Sequence, residues 1–223
     1  MGSVADQSES SAPIVIAIDG PAGAGKSTVG RELASRLGLA YLDTGAQFRA
    51  VGVAVLHGGL GFDDHESCAK LASSFDTTDD GHVWIDGVDY TSLIRSPEAG
   101  QAASRVAVIP AVRANLAARQ RSWADAHGGG VIEGRDIGSV VFPDATLKLY
   151  ITATAEIRGA RRSAETGEEL HDVIAAIRER DHRDKNRDAA PLTAASGSIR
   201  VDTSERPVDE IVDEILELLK ERL

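Results

Sequence analysis

The chain has 223 residues, 42% of them hydrophobic and 26% charged, with a formal net charge of −11. That length suits one α/β domain with insertions and is enough to bury a sizeable core. The acidic balance argues against a general nucleic-acid or membrane-surface binder, and no apolar run reaches membrane-spanning length.

Residues 1–12 are small and polar, with no basic segment followed by an apolar one, so they predict a disordered tail and no secretory signal. Asp6 breaks the myristoylation pattern that Gly2 would begin. An apolar run, Ile14 to Ile18, predicts a strand ending at Asp19. Then comes Gly20-Pro21-Ala22-Gly23-Ala24-Gly25-Lys26-Ser27-Thr28, which reads G-x-x-x-x-G-K-[ST], and an amphipathic run from Val29 to Leu37 closed by Gly38. Strand, glycine loop and helix in this order form a phosphate-binding loop. The glycines let backbone N–H groups close around phosphate oxygens, and the helix N-terminus adds partial positive charge. Lys26 is expected at the β- and γ-phosphates, with the Ser27 hydroxyl on Mg²⁺. The ligand is therefore expected to be a nucleoside triphosphate, ATP in the reading below.

Tyr41-Leu42 predicts a short strand ending at Asp43, and a helix follows over roughly 46–56. Asp43, Thr44 and Arg49 are open to two readings. Thr44 is an ordinary helix cap beside a surface Arg, or the three hold a second phosphorylated substrate facing the loop. Residues 60–98 change character, with many Asp residues between short segments. Cys68, the one cysteine, excludes an intrachain disulfide and points to a reducing, cytoplasmic setting. His65-Glu66 begins like a zinc-protease helix but lacks the second His. Val83 to Tyr90 predicts a β-hairpin about Asp86-Gly87. Ser96-Pro97 and Pro110 each begin a helix, with Gly128-Gly129-Gly130 as the stop. By spacing alone, Ser104 and Arg113 are helix-surface residues.

Val131-Ile132 predicts a strand running into Gly134-Arg135-Asp136. The Arg-Asp pair is either structural or aims a guanidinium at phosphate. Leu147 to Ile151 is the next buried strand. Two arginine-rich helical stretches fill 155–187. Arginines outnumber lysines 19 to 5. A GC-rich genome raises that ratio, yet Arg is also the residue for bidentate phosphate contacts, so position decides. On a helix Arg180, Asp184 and Arg187 share one face, with Arg183 adjacent. They form either a solvated salt-bridge stripe or a lid closing over a transferring phosphoryl group. Arg161-Arg162 either covers the donor nucleotide or lies on the surface. Ile199 to Val201 is a last strand, and Pro207 to Leu223 a last amphipathic helix. Strands alternating with helices predict a parallel sheet covered on both faces, with ligands at the carboxyl ends of the strands, where Asp19, Asp43 and Glu133 to Arg135 fall.

With these clusters in order, the chain resembles the bacterial cytidylate kinases, of the nucleoside monophosphate kinase group, over about residues 14–222. The likeness is carried by Ile18 to Ser27, Asp43-Thr44-Gly45-Ala46 with Arg49, and Gln101 to Ala107 with Arg113. It continues in Glu133-Gly-Arg-Asp-Ile-Gly138, Val141-Phe-Pro-Asp144 and Arg180 to Arg187. The resemblance implies a three-layer α/β/α P-loop kinase with a five-stranded parallel sheet, an inserted nucleotide-binding subdomain and a helical lid. The expected division is tail 1–12, core 13–59, insertion 60–128, core 129–154, lid 155–188 and core 189–223. It implies transfer of the γ-phosphoryl group of ATP to CMP or dCMP, with Mg²⁺, by a cytoplasmic monomer. Arg49, Arg135 and Arg187 would hold the acceptor phosphate. Ser104, Arg113 and Asp136 would lie nearest the base, and Arg180 and Asp184 nearer the ribose. Lys26, Arg135, Arg183 and Arg187 would form the catalytic set. This chain has Thr44 where the family often has Ser, and Phe48 where it often has Tyr. Asp19, Asp43 and Glu133 all stay open as the carboxylate supporting the Mg²⁺ waters. A shikimate- or gluconate-type kinase would have little use for the long stretch before Gly134. A guanine-reading switch would carry N-K-x-D, which is absent.

Overall fold

A computed structural model describes residues 13–77 and 82–222. The tail expected over 1–12 lies outside the described residues. The main sheet has five strands: β1 (Ile14–Asp19), β2 (Tyr41–Asp43), β6 (Gly129–Gly134), β7 (Leu147–Thr152) and β8 (Ile199–Asp202). Their spatial order is β2-β6-β1-β7-β8, and every pairing is parallel. β1 lies at the centre, which is why it reads as an unbroken apolar run. One face is covered by α1 (Lys26–Leu37) and α8 (Val208–Lys220), with Leu33, Ile16, Leu147, Leu149, Ile211 and Ile215 all buried between them. On the other face Ala17, Leu42 and Ile132 pack against Ala124 of α5 (Pro110–Ala126) and against Ile137 and Val141. This is the three-layer α/β/α arrangement expected from the sequence.

The register sets the working edge. Asp19 pairs with Gly134 and with Tyr150, and Asp43 pairs with Glu133. The carboxyl ends of β2, β6 and β1 therefore finish side by side, and the loops that leave them meet over one cleft.

Between β2 and β6 the chain builds a second apolar cluster. α2 (Thr44–His57), α3 (His65–Ser73), β3 (Phe75–Thr77), β4 (Val83–Ile85), β5 (Val88–Asp89) and α4 (Pro97–Val106) precede α5. Val51, Val55, Cys68, Phe75, Ile85 and Leu116 are buried together there. β3, β4 and β5 form a small antiparallel sheet. The hairpin turns at Asp86 (φ 49°) and Gly87 (φ 77°), the pair of positive φ angles that a primed two-residue turn needs. α6 (Ala155–Thr166) and α7 (Leu170–Asn186) form an antiparallel pair after β7.

Three local expectations differ from what forms, and the helix begun at His65 does form. α1 begins at Lys26 rather than Val29, so the lysine belongs to the first helical turn. The stretch from His65 is a nine-residue helix capped by Asp64, whose side chain accepts from Ser67 N at 3.0 Å. β6 begins at Gly129, so two of the three glycines expected to stop α5 lie in the strand. The cap of α2 is Asp43, which accepts from Ala46 N at 3.1 Å; the Thr44 hydroxyl instead donates to the Glu133 carbonyl at 2.7 Å. A carboxylate one residue earlier reaches the free N–H better than a hydroxyl already inside the first turn.

Candidate active site

The phosphate loop takes its shape from its glycines and neighbours. A Cβ on Gly20 (φ 151°) would sit 1.9 Å from the Ile151 carbonyl oxygen, so only glycine fits where the loop leaves β1 against β7. Lys26 is buried, and its ammonium donates back to the Pro21 carbonyl at 2.9 Å. Burial, and then the Arg135 guanidinium, push its pKa down to about 7, while Glu133 and Asp43 pull the other way. Phosphate oxygens at this position would restore the charged form. Thr203, after β8, donates to the Ala24 carbonyl at 2.9 Å and receives Arg161 on its own carbonyl at 2.6 Å. Arg161 thus stands at the loop, whereas Arg162 is exposed and pairs with Glu165 at 3.5 Å. Ser27 and Thr28 lie exposed on the first turn of α1.

Asp19 does a structural task. Its two oxygens accept from Ile137 N and Gly138 N, each at 2.8 Å. These N–H groups open a short π-helical turn, Ile137–Val141, that follows directly on Arg135 and Asp136. Burial pushes Asp19 up to about 6 despite the two backbone donors. Asp43 is likewise committed, to its cap and to Arg49 at 2.8 Å. The buried Glu133 differs: Oε1 accepts from the Ser27 hydroxyl at 2.6 Å and the Tyr41 phenol at 2.8 Å, and Oε2 is buried without a partner. Among the described residues no group of three or more His, Cys, Asp or Glu could hold a metal by itself. A cation here would share a hydroxyl, a carboxylate and phosphate oxygens. Hard oxygens of that kind suit magnesium, and the orphaned Glu133 Oε2 leaves an acceptor for its water shell.

Across the cleft the charged groups come from elements far apart in sequence. Asp136 takes the Arg113 guanidinium on one oxygen and lies 3.5 Å from Arg187 Nη2 on the other. Arg135 Nε donates to Asp184 at 2.9 Å. Burial alone would raise Asp184, but Arg135 and Arg180 carry it below the usual carboxylate range. Arg180 lies against Gly100 of α4; burial, then Arg135, lower it to about 10. Two guanidinium atoms in this group, Arg180 Nε and Arg187 Nη2, are buried with no hydrogen-bond acceptor. Unpaired buried donors are costly, and they are accounted for where an anionic ligand completes the site. The Ser104 hydroxyl is half-buried and turned to the Gly100 carbonyl of its own helix at 3.4 Å. The Arg113 guanidinium stands 5.7 Å from the Phe48 ring. Arg183 is not brought into this group: it is exposed and pairs with Glu179 at 3.3 Å.

Two residues outside the expected set tie the site together. The buried Arg158 donates to the Ala153 and Ala22 carbonyls at 3.0 and 3.1 Å and to Asp181 at 2.6 and 3.1 Å. It therefore links β7, the phosphate loop and α7. Tyr41 reaches Glu133 from the neighbouring strand. The only local hint of Arg158 was its place three residues before Arg161, and Tyr41 looked like an ordinary strand aromatic.

The cytidylate kinase family model matches residues 16–221. A cytidylate kinase of Mycobacterium leprae is 42% identical over 218 residues, covering 94% of this chain and 96% of the relative. One of Shewanella loihica is 44% identical over 223 residues, covering 95% and 96%. Among solved structures, an uncharacterized protein from Eubacterium ventriosum shares the fold at a TM-score of 0.57 and 16% identity, covering 94% of this chain and 99% of that one. The phosphate loop on β1, the arginine-aspartate group opposite it and a full-length match to this model have one meaning: the chain belongs to the cytidylate kinase family.

Proposed function

We infer that the protein transfers the γ-phosphoryl group of ATP to CMP or dCMP, giving ADP and CDP or dCDP. The observation that carries this reading is the pair of buried, acceptor-less guanidinium atoms of Arg180 and Arg187, in a group whose Arg135 and Arg180 charges reach Lys26 of the phosphate loop, in a member of this family. The attacking atom is an oxygen of the acceptor phosphate, so no covalent enzyme intermediate is needed. Catalysis is positioning plus neutralisation of charge on the transferring group.

In this reading the loop from Gly20 to Thr28 cradles the donor phosphates, and Lys26 follows the transferring group. Arg161 serves the donor side, held by Thr203. Arg135 and Arg187 hold the acceptor phosphate, with Arg49 beside them. Asp136, Arg113 and Ser104 select the cytosine edge, which presents an amino donor and ring acceptors. A site of such groups rejects another base by leaving its own polar atoms unpaired. Asp184 and Arg180 serve the sugar, and Asp43 and Thr44 shape the floor. Magnesium supplies charge neutralisation on the phosphates, and Ser27 and Glu133 are the residues that would hold it and its waters. Residues 60–128 and 155–188 would act as the acceptor-binding part and the lid, keeping water from the donor. No helix among the described residues is long and apolar enough to cross a membrane. Together with an unpaired Cys68 and the acidic charge, this supports a cytoplasmic enzyme that binds no nucleic acid.

The test is ADP release from ATP with CMP, dCMP, UMP, shikimate and gluconate offered in turn. The expected result is a rate that rises with CMP and dCMP and not with the two hydroxyl acceptors. A rate indifferent to every acceptor would overturn the reading.

A further inference from the structure

Three carboxylates end neighbouring strands at the cleft, and two are fully committed. Asp19 receives two backbone N–H groups, and Asp43 caps α2 and pairs with Arg49. Glu133, a buried side chain, has both of its donors on one oxygen and none on the other, which is itself shielded from solvent. An ionisable oxygen left in this state points to a group that arrives later.

The donors on Glu133 Oε1 are unequal. Ser27 belongs to the phosphate loop and, in the reading above, turns its hydroxyl to the cation. Glu133 then keeps one fixed donor, the Tyr41 phenol. The ring that carries this phenol is itself held in place. A Cβ on Gly30 of α1 would lie 3.0 Å from Tyr41 Cε2, so the helix has a glycine where the ring packs. The Arg31 guanidinium covers the ring at 4.5 Å from its centroid. β2 and β6 are adjacent, with Tyr41 in register with Val131, two residues before Glu133. The phenol therefore reaches the carboxylate without bending either strand.

We propose that Tyr41 is a positioning residue for the metal-side carboxylate. Its phenol fixes Glu133 Oε1, so that Oε2 is presented to the water shell of the divalent cation bound with the donor triphosphate. The proposal rests on the magnesium reading above. It assigns Tyr41 no contact with nucleotide and no part in proton transfer.

The probe is Mn²⁺, followed by electron paramagnetic resonance as it is titrated into the enzyme with a non-hydrolysable ATP analogue. Tyr41→Phe is expected to weaken Mn²⁺ binding about 10-fold, the scale of losing an outer-shell partner of a metal ligand. Its affinity for the analogue without metal and its KM for CMP should match the wild type. A variant that binds Mn²⁺ as tightly as the wild type overturns the proposal and leaves the magnesium reading standing. A wild type that binds no more Mn²⁺ than free analogue does overturns both. Should Tyr41→Phe fail to fold, the wild type labelled with ¹³C at tyrosine Cζ carries the same test, since it has only three tyrosines. Adding Mg²⁺ to the analogue complex should shift the Tyr41 resonance and leave that of Tyr90 in place. An unmoved Tyr41 resonance overturns the proposal.

Discussion

The two sides of the cleft are built differently. Around the phosphate loop, Lys26 rests on the Pro21 carbonyl, Thr203 on Ala24, Arg158 on Ala22, and Asp19 on two backbone N–H groups. Glu133 Oε2 is the exception on that side. Across from it, Arg113, Arg135 and Arg187 share two aspartates, and guanidinium atoms of Arg180 and Arg187 are left without acceptors. Arg113, Arg135 and Arg187 also donate to backbone carbonyls, of Ala107, Gly134 and Ala190, so what separates the donor side is that its cations leave no buried donor unspent and its geometry exists before nucleotide arrives. The acceptor side holds like charges together and offers them unspent donors. A buried charge with an incomplete set of partners costs stability, and functional sites are where that cost is kept. Donor binding is thus preorganised by the fold, whereas acceptor binding completes an arrangement that the fold leaves open.

Arg187→Ala tests that contrast most severely. Removing a guanidinium that stabilises charge on the transferring group is expected to lower kcat by about 10³-fold. The melting temperature should fall only a little: the 2.6 Å bond to the Ala190 carbonyl is lost, but the 3.5 Å pair with Asp136 is long and the cost of burying the charge is removed with it. Steady-state kinetics beside a thermal melt check both halves of the expectation. A normal kcat with a large fall in melting temperature would make the acceptor side structural, and the contrast would fail.

This asymmetry also explains what could be read from the sequence. The phosphate loop is nine consecutive residues whose own backbone makes the site, so its motif is local and its flanks predict its shape. The parallel sheet was legible for the same reason, because buried central strands are apolar without interruption. On the acceptor side no segment is sufficient alone. Asp136 gains its meaning from Arg113 and Arg187, which stand on other elements, and local spacing left Gly134-Arg135-Asp136 open between a structural pair and a phosphate contact. Only the resemblance to a family decided among those readings. Arg158 and Tyr41 stayed hidden because their partners lie 136 and 92 residues away, at Ala22 and Glu133. The cap of α2 was misplaced by one residue because Asp43 and Thr44 are both good capping types and only geometry separates them.

The second test comes from the donor side. Asp19 joins the two halves, since the N–H groups it holds belong to the turn that follows Arg135 and Asp136. Its pKa is raised from 3.8 to about 6, chiefly by burial. A carboxylate raised on folding contributes stability that is complete below its unfolded pKa and is lost as pH rises through the folded one. About 1.5 kcal/mol of that contribution should disappear between pH 5 and pH 8. The measurement is denaturant unfolding over that range for the wild type and for Asp19→Asn, which does not titrate. The stability advantage of the wild type is expected to shrink as pH rises. A constant difference would mean that the two N–H groups hold the carboxylate charged at no cost, and the donor side would then carry even less strain than the contrast supposes.

The smallest effect is expected where the sequence pattern and the structure part. Arg183 lies on α7 with Arg180, whereas Arg187, expected on the same helical face, follows the last helical residue in extended backbone; the resemblance placed Arg183 in a catalytic set with Lys26, Arg135 and Arg187. The structure instead leaves it exposed, 3.3 Å from Glu179 four residues earlier on the same helix. An exposed pair of this kind contributes about 0.3–0.5 kcal/mol and is screened by salt. Arg183→Ala should therefore change kcat by no more than about twofold, the rate equivalent of that energy. A drop of 10²-fold or more, with KM for both nucleotides unchanged, would show that α7 turns when the cleft is filled and carries Arg183 inward. The open side of the cleft would then complete itself by moving an element as well as by exchanging partners. Comparing Arg183→Ala with Arg187→Ala in one assay separates these two ways of closing, because only the second residue is already buried beside Asp136.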